Sequence, residues 1–144
     1  MEIPNFVLRE EENEKILFVL SSLVSKCRAE GVYLINRNGQ MISSSGQSPI
    51  RDEQSLASLS AGSVAATHGL AKVLGETEFS SVSHQGEKWN IHISSVGDRA
   101  ILVVLADRAK SAVDESSVKR ARLILEDILR KNWQTRAGVS AETS

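Results

Sequence analysis

The sequence is short of the residues that brace small secreted proteins. It has one cysteine, Cys27, so no disulfide can close within the chain, and a reducing compartment is expected. Aromatic residues make up only 4%, which leaves the core to aliphatic side chains. Long apolar runs are absent. The longest, Ala100–Ala106, falls well short of the roughly 20 residues a membrane-spanning helix needs. An excess of charge of either sign is also missing: 17 Lys and Arg face 18 Asp and Glu. No basic stripe exists to neutralise phosphates, so nucleic acid is not expected as a partner, nor is membrane insertion. The N-terminus, "MEIPNF" followed by "REEENEK", has no basic segment leading into an apolar run, so no signal peptide is expected. These absences predict a cytoplasmic protein. What remains is ordinary for a globular chain: 144 residues, 41% hydrophobic, enough for one core.

Ile16, Val19, Leu20, Leu23, Val24 and Cys27 recur at helical spacing and predict a first helix over about Glu11–Ala29, ended by Gly31. The preceding "FVLRE" reads as a short extended arm. "VYLIN" and "QMISS" flank "RNG" and predict a hairpin on an Asn-Gly turn, with positive φ open to both turn residues. A second helix, capped by Asp52 or Ser55, should end near Leu74-Gly75. Three strands follow: Glu78–Gln85, Lys88–Ser94 and Arg99–Asp107. In the middle one Trp89, Ile91 and Ile93 point one way and Asn90, His92 and Ser94 the other. The last is apolar on both faces and should be central. A final helix over about Asp114–Trp133 has Val118, Ala121, Leu125, Ile128 and Leu129 as its core stripe and Lys119, Arg120, Arg122 and Arg130 toward water. Residues 1–133 form one domain, and 134–144 read as a polar tail without order. The order α-β-β-α-β-β-β-α predicts an α+β sandwich.

The second helix holds the most informative stretch. Gln54–Ala71, "QSLASLSAGSVAATHGLA", carries no charged residue in a chain that is 24% charged. Helical spacing puts Leu56, Leu59, Ser63, Ala66, Leu70 and Val73 on one side, expected to pack on the sheet. The opposite side collects Ala57, Ala61, Val64, Ala65, His68, Ala71 and Lys72, and Ala61, Ala65 and Gly69 stack as a row of small residues. Gly62 and Gly69 each cost roughly 1 kcal/mol against alanine in a helix interior, and close approach of another backbone is the usual offset. Either the helix is buried on both sides within its own fold, or it meets another protein. With so few elements available to cover it, a protein–protein surface is the expectation.

No residue pattern points to chemistry. A P-loop, a G-x-G-x-x-G and a G-x-S-x-G elbow are all missing. His84 and His92 fall on neighbouring strands, but two histidines without further ligands make a poor zinc site. Cys27 reads as a small buried hydrophobe, Trp89 as a packing residue, and Trp133 as either a helix anchor or exposed. No cofactor, metal or catalytic centre is expected.

"NRNGQMISSSGQS", "SLASLSAGSVAATHGLAKVLGETEF", "HQGEKWNIHI" and "VGDRAILVVLAD" together resemble the roadblock/dynein light chain family over roughly Phe6–Asn132. They are most similar to its bacterial branch that regulates an MglA-type Ras-like small GTPase. The resemblance implies a five-stranded antiparallel sheet with helices 1 and 3 on one face and helix 2 on the other. It implies a homodimer, with Phe79, Ser81, Val82, Ser83 and His84 on the strand that pairs with its twin. It also implies a partner-binding surface on helix 2: Ala57, Ala61, Val64, Ala65, His68, Gly69 and Lys72. The partner would be the GTP-bound GTPase, in cell polarity or gliding and at a cell pole. The protein would activate hydrolysis without being an enzyme itself and without supplying an arginine finger. Relatives carry a smaller residue where this chain has His68, and some carry a long acidic tail that this chain lacks after Trp133. The competing reading is a scaffold dimer that binds a GTPase or polarity factor without stimulating hydrolysis.

Overall fold

The computed structural model describes residues 8–110 and 113–143, and for 133–143 the backbone alone. Phe6 and Val7 of the expected N-terminal arm and the side chain of Trp133 lie outside the described residues.

Helix α1 (Glu10–Cys27) forms where the apolar stripe predicted it, and Ile16, Val19, Leu20, Leu23 and Cys27 are its buried face. Three glutamates occupy its first turn, where carboxylates complement the helix dipole. One of them, Glu12, accepts the amide of Arg9 at 3.0 Å. The helix does not run on to Gly31. Arg28 takes the left-handed conformation (φ 51°) and Ala29 closes the end by donating to the Val24 carbonyl at 3.0 Å. Gly31 instead opens strand β1 (Gly31–Asn36). The Tyr33 ring lies over it, and a Cβ there would sit 2.6 Å from the Tyr33 hydroxyl.

Strand β2 (Met41–Gly46) pairs antiparallel with β1. The turn between them spans Arg37–Gly39, as "RNG" suggested, but Asn38 does not take the positive φ that was open to it. Only Gly39 has positive φ (87°), the Gly39 amide donates to Asn36 O at 3.0 Å, and Asn36 N donates to Gln40 O at 2.9 Å. This is a three-residue loop with a glycine bulge. The Asn36 carboxamide oxygen accepts the amides of Asn38 and Gln40, which holds the loop without a left-handed Asn38.

After helix α2 (Glu53–Leu74) come β3 (Ser81–Gln85), β4 (Trp89–Val96), β5 (Ala100–Asp107) and helix α3 (Glu115–Thr143). The sheet order is β2-β1-β5-β4-β3, antiparallel throughout. The apolar β5 is central as expected, and every residue from Ala100 to Ala106 is buried. One core lies between the sheet and helices α1 and α3, and gathers Leu20, Val32, Leu34, Leu102, Val104 and Leu125. The other lies under α2, and gathers Tyr33, Ile35, Ile93, Ile101, Val103 and Leu105. Strand alternation sends odd and even positions to different cores. Each fully buried aliphatic side chain contributes about 1.5–3 kcal/mol.

Helix α3 continues through Thr143, past the point where a tail was expected. At its start the Asp114 carboxylate accepts Ser116 and Ser117 hydroxyls at 2.9 and 2.7 Å, and these bonds hold its pKa below the usual range. Arg122 is not on the wet side. Its Nε donates to the Ser95 carbonyl at 2.9 Å and ties α3 to the end of β4.

Candidate functional site

Helix α2 begins where its sequence says it should. The Asp52 carboxylate accepts the Ser55 amide at 3.0 Å and the Ser55 hydroxyl at 2.6 Å, satisfying an orphan donor of the first turn. These bonds hold the carboxyl below its ordinary pKa. The helix ends at Gly75, which takes the left-handed conformation at φ 75°. Gln54 Nε2 reaches the carbonyl of Gly39 at 3.1 Å, and a Cβ on Gly39 would come within 3.1 Å of the Ser58 backbone. The hairpin turn therefore presses directly on the first turns of α2.

The faces of α2 depart in part from expectation: Leu56 packs on the core under the helix and Ala65 and Lys72 are exposed, as expected, but other positions are exchanged. The buried residues are Ala57, Ser60, Val64 and Ala71. The large aliphatic residues expected on the sheet point outward: Leu59 is 74% exposed, Leu70 60% and Val73 82%. Leu74 is exposed too. Helical spacing puts Leu59, Gly62, Ala66, Leu70 and Val73 in one outward row. Ala57, Val64 and the half-buried Leu56 pack on the Tyr33–Ile93–Ile101 layer. Gly62 and Gly69 have open space where a Cβ would go, so among the described residues no contact requires glycine there.

The predicted partner-binding residues therefore divide. Ala57 and Val64 are core, at 0% and 6% exposure. Ala61 and His68 are half-buried, and His68 Nε2 is buried without a hydrogen-bond partner. Ala65, Gly69 and Lys72 are exposed, on the flank of the leucine row. Leu59, Leu70 and Val73 were missed as surface residues because large aliphatics were assigned inward. The signal that could have found them was the uncharged opposite face, which suits a sheet as well as it suits a partner.

Strand β3 borders this surface. It is shorter than predicted and lies at the edge of the sheet, with one side of its backbone unpaired. Ser81, Ser83 and His84 are exposed and Val82 is half-buried, while Phe79 precedes the strand and is half-buried. Ser63 Oγ and His84 Nε2, 3.5 Å apart, link α2 to β3. The two strand histidines do not form a pair. Ser83 is the register partner of His92, so His84 and His92 fall on opposite faces. His92 is buried under α3 with Nδ1 3.0 Å from Ser83 Oγ and 3.9 Å from the Glu115 carboxylate. Burial pushes its imidazole pKa down, Glu115 pulls it back up, and Arg122 pushes it down again. Among the described residues no group of three or more His, Cys, Asp or Glu could hold a metal ion, and no helix is long and apolar enough to cross a membrane.

The Roadblock/LC7 domain model matches residues 15–106, and the chain belongs to that family of regulators. Within it the chain is MglB-like. It is similar to Myxococcus xanthus MglB at 42% identity, over 88% of this chain and 96% of that one, with a TM-score of 0.79. The gliding protein MglB of Thermus thermophilus is 30% identical over 90% and 99%, with a TM-score of 0.83. A structure of MglB with a tetrameric arrangement is 30% identical over 91% and 99%, with a TM-score of 0.81. Comparison with curated proteins gives no match.

Proposed function

We propose that the chain is a homodimeric regulator that binds the GTP form of an MglA-type Ras-like small GTPase and promotes its hydrolysis. The observation that carries this reading is the outward row of Leu59, Leu70 and Val73 beside the unpaired edge of β3, in a chain similar to MglB over most of its length. The β3 strands of two copies would pair through Ser81, Val82, Ser83 and His84, with Phe79 at the start of the contact. The two α2 helices would then lie side by side on one face, with Ala65, Gly69 and Lys72 flanking the leucine rows. The dimer acts in the cytoplasm in a polarity or motility system.

The chemistry stays in the GTPase. This chain contributes differential binding: it holds the hydrolysis-competent arrangement of the partner's own catalytic residues more tightly than the alternative. Each tenfold gain in rate asks for about 1.4 kcal/mol of such preference, which a few well-buried aliphatic side chains can provide. The test is single-turnover GTP hydrolysis by the cognate GTPase with and without this protein, using Ala65→Arg as the control. Acceleration by the wild type and not by the variant is expected. Binding without acceleration would make the protein a scaffold, and unchanged binding by Ala65→Arg would move the interface off this flank of α2.

A further inference from the structure

At one end of the sheet a cleft of about 430 Å³ opens between α2 and α3. The turns that follow β1 and β4 and the approach to β3 complete its walls. Its volume falls within the roughly 300–1,000 Å³ typical of small-molecule sites.

Half-buried donors form the floor of this cleft. Arg37 Nη2 donates to the Gly97 carbonyl at 3.2 Å and to Ser95 Oγ at 3.4 Å. Arg122 Nε donates to the Ser95 carbonyl at 2.9 Å. These bonds hold both guanidinium groups against the buried Ser95. Among the described residues neither group is ion-paired with a carboxylate. Arg37 Nε and, from α2, His68 Nε2 are buried with no hydrogen-bond partner among the described residues, and buried polar nitrogens call for one. The rim is of opposite sign: Glu78, Asp98 and Glu126 line the same cleft and are exposed.

A simple anion does not suit this lining, because three carboxylates outnumber two guanidinium groups. A simple cation would leave the floor donors unmet. A ligand with one negative and two positive groups matches both layers and balances the charge. We propose that the cleft binds a basic α-amino acid. Its carboxylate would lie on Arg37 and Arg122, whose planar forks suit carboxylate pairing. Its two cationic groups would face Glu78, Asp98 and Glu126. This site is distinct from the row of Leu59, Leu70 and Val73, which is on the outward side of α2.

Titration of the isotope-labelled full chain with L-arginine at fixed ionic strength tests this, read by NMR. Saturable shifts are expected in the Arg37 and Arg122 Nε–H signals and in the Ser95 and Gly97 amides. Agmatine, which lacks the carboxylate, and acetate, which lacks the cationic groups, are expected to bind at least tenfold more weakly than L-arginine, about what one charge-assisted hydrogen bond contributes. Arg37→Gln should weaken L-arginine binding by a similar factor. Because Arg37 also braces the turn after β4, the exposed pair Glu78→Gln/Asp98→Asn is the second variant, expected to weaken binding about twofold to fivefold with the other amides unmoved. The proposal is overturned if L-arginine gives no saturable shift, if agmatine or acetate reproduces its shifts at equal affinity, or if both variants bind L-arginine as the wild type does.

Discussion

The outward position of Leu70 on α2 makes Leu70→Asp a sharp test. Leu70 is 60% exposed in the chain, so the substitution removes little from the protein's own core. Its cost to folding is limited to helix propensity, about 0.5 kcal/mol, and an unfavourable acid near the helix C-terminus, about 0.3–1 kcal/mol. Binding is different. Burying a leucine completely is worth about 1.5–3 kcal/mol, and with three-fifths of the side chain still open, docking would gain about 1–2 kcal/mol from it. An aspartate in that place must stay solvated or take up a proton. At pH 7 protonating a carboxyl of ordinary pKa costs about 4 kcal/mol. The expected Kd for the GTP-loaded partner therefore rises at least tenfold and toward a thousandfold or more. Titration of the GTPase carrying a fluorescent nucleotide reads the affinity, and a circular dichroism melt reads the fold. A Kd within threefold of wild type, with the melt unchanged, would refute the assignment of the leucine row to docking.

The inward face should respond in the opposite way. Ala57→Leu puts a larger side chain into a fully buried site on the sheet and should cost about 1–3 kcal/mol by overpacking, seen as a lower urea midpoint at fixed protein concentration. Gly46→Ala should destabilise more than Gly75→Ala. Both positions have positive φ, but only at Gly46 would a Cβ meet backbone, 2.6 Å from the Glu30 carbonyl oxygen; comparing the two thermal melts isolates that clash. Protonation of His92 is opposed in the folded chain by burial, whereas the unfolded chain takes the proton near pH 6.5. Stability is therefore full above about pH 6.5 and falls as pH drops below it, by at most about 1.4 kcal/mol per unit. His92→Gln should remove that slope in urea titrations between pH 7 and 5, and a slope identical to wild type would reject it.

Most of the architecture was legible because its signals are local. The stripe of α1, the Asp52 cap, the alternation of β4 and the doubly apolar β5 each follow from spacing within a few residues. The misses share one cause, which is that they depend on contacts between distant segments. Gly31 looked like a helix stop, but its lack of a side chain serves the Tyr33 ring. Arg122 looked solvated, but a strand carbonyl lies within its reach. Leu59, Leu70 and Val73 were assigned inward because hydrophobic size was taken to mean burial, and they are exposed. The sheet beneath α2 accepts Ala57 and Val64 as buried residues, and burial there does not track side-chain size. Of the residues expected on the outer side of α2, Ala65, Gly69 and Lys72 are exposed, while Ala57, Val64 and Ala71 are buried.

The polar character of β3 has a consequence for how the chain survives before it finds a partner. An open strand edge beside exposed leucines is a hazard for misassembly during synthesis and storage. Here the edge strand, "SVSHQ", has a single hydrophobic residue in its run, and segments of that composition make poor steric zippers. Backbone pairing alone gives a stranger too little to hold. Accidental aggregation through this edge is therefore disfavoured even though exposed leucines stand beside it.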